Sequence, residues 1–218
     1  MIADSSVNLN LQDTDIRLML AVQQDDASAF EELMLRYQNR VLSLLRHLIG
    51  NRDMAEDLTQ EVFLRVFRAR KNYQPGAKFT TWLFTITNNV ALNALRTRHR
   101  KPEVQLGLSR NNEDSGERKF LAEDSILASS GTIPTRHLDK LEMKQMVQLA
   151  VEALGERQRM AILLHKFEGL SYIDIANVMD MTPQGVKSLL CRARLNLRDS
   201  LQGYMQRGKK VESVISSQ

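Results

Sequence analysis

Apolar residues recur at helical spacing through most of this chain, and no strand-like alternation runs for more than a few residues. Phe30, Leu33, Met34, Tyr37, Val41, Leu44, Leu45 and Leu48 fall at the three- and four-residue intervals that place side chains on one helical face. The same period returns in Ala55, Leu58, Val62, Phe63 and Val66, and in Trp82, Leu83, Ile86, Val90, Leu92 and Leu95. The chain is therefore expected to be all-α. Asp26 is placed to cap the first of these helices and Gly50 to stop it. Asp53 with Glu56 reads as a capping box for the second, and Thr80 or Thr81 as the cap of the third. A shorter helix over Ile16–Val22 precedes them, and Asn72–Gly76 reads as a turn.

Composition shifts at Pro102. Ser, Asn, Gly and Glu dominate with weak periodicity to about Pro134, which reads as a flexible linker whose charge tips acidic. Periodicity resumes with helices expected over Leu138–Leu154 and Glu156–Phe167, with Gly169 ending the latter. The expected layout is a helical bundle over 13–101, a linker over 102–135, a second helical unit over 136–206 and a disordered tail over 207–218. With 218 residues, each unit can bury a small core. No run approaches a membrane span, and Met1–Gln12 lacks the basic and apolar regions of a signal peptide, so a cytoplasmic protein without membrane insertion is expected. The one cysteine, Cys191, cannot form an internal disulfide. The four histidines are far apart, so neither a metal nor another cofactor is expected.

Charge is more informative in its distribution than in its total of +4. Acids outnumber bases from Asp13 to Glu61, yet residues 62–102 contain none, while carrying Arg65, Arg68, Arg70, Lys71, Lys78, Arg96, Arg98, Arg100 and Lys101. A polyanion is the simplest partner for such a stretch. Interleaved with the cations are Tyr73, Phe79, Trp82 and Phe84, and aromatic rings among cations suit unpaired bases. Any one of these rings is more often core. Asn88, Asn89 and Asn93 add amides on the same helix.

Ser171–Arg198 has helix-turn-helix dimensions: a short helix capped by Ser171 and Asp174, a tight connection at Asp180 and Met181, and a long helix capped by Thr182 with Pro183 first. Asp180 stands where many such turns have glycine, and Asp tolerates the left-handed backbone better than most. Val186, Leu190, Ala193, Leu197 and Leu201 form an apolar stripe, and Gln184, Lys187, Ser188, Arg192, Arg194 and Arg198 lie off it. No acid occurs between Asp180 and Asp199. The competing reading is a solvated basic face; the caps, turn and preceding helix together favour DNA.

Asp53, Asp57 and Glu61 share a helical face with Glu56 and Gln60 beside it. Clustered carboxylates can bind Mg²⁺ for nuclease chemistry, but no third group completes such a site; a solvated face or a basic protein partner competes.

In this order the pieces resemble the extracytoplasmic-function σ factors. D-A-S-A-F-E-E-L-M-L-R-Y (Asp26–Tyr37) looks like the opening of σ region 2, and D-M-A-E-D-L-T-Q-E-V-F-L-R (Asp53–Arg65) is similar to its polymerase-docking helix. K-F-T-T-W-L-F-T-I-T-N-N-V-A-L-N-A-L-R (Lys78–Arg96) resembles the promoter-melting helix. Leu154–Ala176 followed by Val186–Arg198 looks like region 4. The chain departs from the family pattern at Thr85, Asn88, Asn93, Gly155 and Gln184–Gly185, which bears on the promoter sequence it reads.

The resemblance implies no enzyme chemistry of the chain's own. It implies docking on the β and β′ subunits of core RNA polymerase through Asp53, Glu56, Asp57, Gln60, Glu61 and Leu64. The −10 element of promoter DNA would be opened with Tyr73, Lys78, Phe79, Trp82, Asn89, Asn93, Arg96, Arg98, Arg100 and Lys101. The −35 element would be read by Ser171, Tyr172, Thr182, Gln184, Gly185, Lys187, Ser188, Arg192 and Arg194. The acidic linker would thread towards the polymerase active centre, and an anti-σ factor is a further expected partner. A stand-alone helix-turn-helix regulator and a recombinase-like enzyme are the alternatives.

Overall fold

The computed structural model describes residues 13–76, 78–100, 143 and 145–215. Every regular element among them is helical: α1 (Thr14–Gln23), α2 (Ala27–Ile49), α3 (Arg52–Ala69), a 3-10 turn (Arg70–Asn72), α4 (Phe79–Arg100), α5 (145–152), α6 (Glu156–Lys166), α7 (Tyr172–Met179) and α8 (Pro183–Ile215). The expected linker, and most of the first half of the helix expected over Leu138–Leu154, lie outside the described residues.

Local chemistry sets the helix ends. Asp26 accepts from the backbone N–H groups of Ser28 and Ala29 at 2.9 and 3.1 Å. Gly50 closes α2 in the left-handed region at φ 74°, and α3 begins almost at once. That speed of reversal corrects one expectation. The cap of α3 is Asn51, which accepts from the Met54 N–H at 2.8 Å, and not Asp53. Asp53 sits inside the first turn, and Glu56 turns away to Arg46 and Arg52, both at 2.9 Å. A second correction concerns α4, which starts at Phe79, before either threonine expected to cap it. Lys78 supplies the first carbonyl, and the buried Thr81 donates its hydroxyl to Asp174 instead.

The Ser171–Asp174 capping box forms in both directions, and Asp180 takes the left-handed conformation at φ 51°, ψ 59°. Thr182 Oγ1 accepts from the Gly185 N–H at 3.1 Å. Gly185 has a reason to lack a side chain, since a Cβ there would come within 3.2 Å of that same oxygen. Beyond residue 206, where a disordered tail was expected, α8 continues to Ile215. No proline interrupts it, and isolated glycines at 203 and 208 weaken a helix without ending it.

Helices α1 to α4 surround Ile16, Met19, Leu33, Leu45, Val62, Val66 and Leu83, all at most 1% exposed. The second unit closes on Leu163, Leu164, Ile175, Val186, Leu190 and Ala193. The two cores join in one apolar cluster, with α4 against α7 and α2 against α6.

Candidate nucleic-acid interface

The buried stripe of α8 fixes which side chains face out. Val186, Leu190 and Ala193 are fully buried, so Gln184, Lys187, Ser188, Arg192 and Arg194 project from the opposite side and are exposed. Lys187 and Arg192 have no acidic partner among the described residues. Arg194 reaches the hydroxyl of Tyr172 at 3.4 Å, and the Tyr172 ring packs on His165 at 5.2 Å. Ser171 is committed to its capping box, with its hydroxyl 2.7 Å from Asp174. Thr182 and Gly185 shape the start of α8. Of these residues, then, some present exposed side chains and others build the turn.

The basic aromatic stretch divides in the same way. Tyr73 and Phe79 are 3% and 1% exposed. Tyr73, Phe79 and Trp82 form a cluster with Tyr37, with ring centroids 5.0 to 6.3 Å apart. Burial, with Asp13 and Asp15 nearby, pushes the Tyr73 phenol up to about 12. Trp82 keeps one partly exposed edge, while Phe84 is buried. Asn89, Asn93, Arg96, Arg98 and Arg100 lie exposed along α4. Arg98 also reaches the carbonyl of Ile49 at 3.3 Å, so a phosphate would have to draw it from the end of α2. Lys78 is exposed, 3.7 Å from Asp174, and Lys101 lies outside the described residues.

Charge counting along the sequence missed pairing in space. Arg70 and Lys71 both bind Asp25, at 2.8 and 2.7 Å, and Arg65 binds Glu61 at 2.6 Å. The positive surface is thus concentrated towards the C-terminal part of α4. Asn88, by contrast, is 4% exposed and donates to the carbonyl of Val178 at 3.2 Å.

On α3, Asp53, Asp57 and Gln60 are exposed, and Leu64 and Phe67 hold half and two-fifths of their surface in solvent. Hydrogen bonds from Arg52 and Arg46 hold the Glu56 carboxyl below its ordinary range. The face therefore combines free carboxylates with an apolar anchor. Among the described residues, no group of His, Cys, Asp and Glu is arranged to hold a metal.

Comparison with known proteins decides the family. Residues 33–101 match σ70 region 2, and residues 144–197 match σ70 region 4. The chain is 34% identical over 195 residues to the RNA polymerase sigma-H factor of Pseudomonas aeruginosa, covering 89% of this chain and 97% of that protein. It is 34% identical over 197 residues to the ECF RNA polymerase sigma-E factor of Escherichia coli K12, with shares of 89% and 97%. The chain belongs to the extracytoplasmic-function σ factors of the σ70 family. The region 2 match of this σ factor runs from within α2 through α4, and the region 4 match spans α5 to α7 and the first part of α8. A solved σ factor RpoE from Bartonella quintana, in complex with the anti-σ factor NepR, is 25% identical with a TM-score of 0.58, covering 79% of this chain and 96% of that one. The σ factor directs transcription initiation at promoters. No helix among its described residues is long and apolar enough to cross a membrane.

Proposed function

We propose that this σ factor divides its work among three surfaces. The exposed face of α3 docks on core RNA polymerase, the outer face of α4 holds the opened −10 element, and α8 reads the −35 element. The observation that carries this reading is the start of α8. Its cap, left-handed turn and buried stripe direct Gln184, Lys187 and Ser188 outward, where a helix-turn-helix meets base edges. Arg192 and Arg194 lie further along the same side, where backbone phosphates pass. Bond making and breaking belong to the polymerase. The site of action is the cytoplasm, where that enzyme works, and an anti-σ protein is a further proposed partner, as in the solved relative.

The two groups on α8 should fail differently. Lys187→Ala should relax preference within the −35 element, at a cost of about 1–3 kcal/mol for a lost base contact. Arg192→Ala should weaken all sequences alike and reduce the salt slope by about one unit. Binding of −35 variants at several salt concentrations checks both; preference and slope left untouched by either substitution would remove α8 as the reader.

On α4, Asn89→Ala with Asn93→Ala changes two exposed amides without touching the core. Reduced permanganate reactivity of the −10 region is expected, with core binding retained. Normal opening would take the single-strand role away from this face.

A further inference from the structure

We propose that Asp25 and Gln23, at the end of α1, are positioning residues for the −10 reader: they pin the 3-10 turn ahead of α4 and so set where the Trp82 indole meets an opened strand. The inference rests on the reading of α4 as the −10 reader. It adds two residues that precede the region 2 match over 33–101.

The backbone at Asp25 is the first observation. The Asp25 N–H donates to the Val22 carbonyl at 3.0 Å and the Asp26 N–H to the Ala21 carbonyl at 3.2 Å, the paired bonds that close a helix on a left-handed residue. Glycine is at ease in that conformation and an L side chain is strained. Asp25 nevertheless sits there, at φ 66°. Gly50 fills the same kind of place after α2, at φ 74°. A helix end alone would be better served by glycine, so the Asp25 carboxylate calls for a role of its own.

What the carboxylate touches is the turn before α4. Oδ1 accepts from Arg70 Nε at 2.9 Å, and Oδ2 accepts from Lys71 Nζ at 2.7 Å. Lys71 Nζ also donates to the Gln23 carbonyl at 2.6 Å, and Gln23 Nε2 donates to the Tyr73 carbonyl at 2.6 Å. Hydrogen bonds from Lys71 and Arg70 hold the Asp25 carboxyl below its ordinary range. Arg70 is tied to α3 as well, donating to the Phe67 carbonyl at 2.8 Å with its guanidinium 3.9 Å over the Phe67 ring. A single exposed pair contributes little. Here the bonds act together on residues 70, 71 and 73.

From the turn the constraint passes to α4. The Tyr73 ring, whose backbone carbonyl Gln23 holds, meets Trp82 edge-on at 5.0 Å and Phe79 at 6.3 Å. Tyr73 is buried, while Trp82 keeps a partly exposed edge. A shift of residue 73 therefore moves the wall against which the indole rests. The exposed Asn89 and Asn93 follow Trp82 by seven and eleven positions and so share its side of α4. A strand seated on the indole runs on past these amides, and its register on them depends on where the indole stands.

The test uses the full chain, free and in holoenzyme. Asp25→Gly keeps the left-handed turn and removes the carboxylate. Gln23→Glu keeps the shape of the side chain and removes the donor to Tyr73. Asp26→Asn is the control, since it makes the same change in net charge one residue away and asparagine still caps α2. In the free chain, acrylamide quenching of Trp82, the one tryptophan, should rise in both test variants and not in the control. In holoenzyme, preference for a single-stranded −10 oligonucleotide of the sequence selected by wild type, over base-substituted versions, should fall about tenfold. Affinity for core polymerase and preference within the −35 element should not change, whereas a merely weakened fold would lower all three. Circular dichroism identifies a variant that does not fold, and the other then carries the test; failure of both makes the turn part of the core and overturns the positioning role. Folded variants that keep the −10 preference overturn it, as do variants that lose core affinity in the same proportion or a control that loses the −10 preference equally. A wild-type holoenzyme with no preference among −10 strands overturns the reading of α4 instead. Quenching then judges the brace alone, and an unchanged value refutes it.

Discussion

Phe79→Ala is expected to destabilise the region 2 bundle by about 3–5 kcal/mol. Phe79 is 1% exposed and packs against Tyr37, Tyr73 and Trp82 at centroid distances of 5.3, 6.3 and 6.0 Å. Truncation removes a whole ring from the meeting point of α2, α4 and the turn before α4. Small domains have total stabilities of about 5–15 kcal/mol, so this loss takes a large share. Urea titration followed by far-ultraviolet circular dichroism and by fluorescence of Trp82, the one tryptophan, measures it. A bundle of unchanged stability that fails only in promoter opening would make Phe79 a base-stacking ring and not a wall of the core.

Asp57→Lys combined with Leu64→Lys should weaken binding to core polymerase about a hundredfold. The residues lie two turns apart on one side of α3, both exposed, so the fold has little stake in either. Together the changes invert the free charge of the face and remove its apolar anchor. Asp57 is a better probe than Glu61, which Arg65 already neutralises locally at 2.6 Å. Titration of labelled factor with core polymerase supplies the measurement. An affinity within a factor of two of the wild type, in a variant with normal helical content, would place the docking surface elsewhere.

The helical architecture was legible because its signals are local. Asp26, Gly50, Ser171, Asp180 and Thr182 each act on backbone within a few residues, and each does what the sequence suggests. The cap of α3 stands two residues before the expected Asp53, because the tight exit from Gly50 starts the helix at Arg52 and gives the cap to Asn51. The candidate site was legible as a set of segments and less so as a set of side chains. Periodicity could not separate Phe79 from Asn89, since both lie on one basic helix; packing against Tyr37 and Tyr73 separates them. Nor does a count of charges reveal that Asp25, from the distant turn between α1 and α2, occupies Arg70 and Lys71. The contacts of Arg40 with Glu168 and of Asn88 with Val178 join residues 128 and 90 positions apart and leave no mark on any local pattern.

Asp174 serves two masters with one carboxylate. It completes the cap of α7 with Ser171, and it receives Thr81 and Lys78 from α4. Burial pushes this group up, but Ser171, Lys78 and Thr81 together hold it below the ordinary carboxylate range. Ser171 alone would keep the group partnered if its contacts from α4 were removed. The same carboxylate thus ties the start of α7 both to its own cap and to the start of α4.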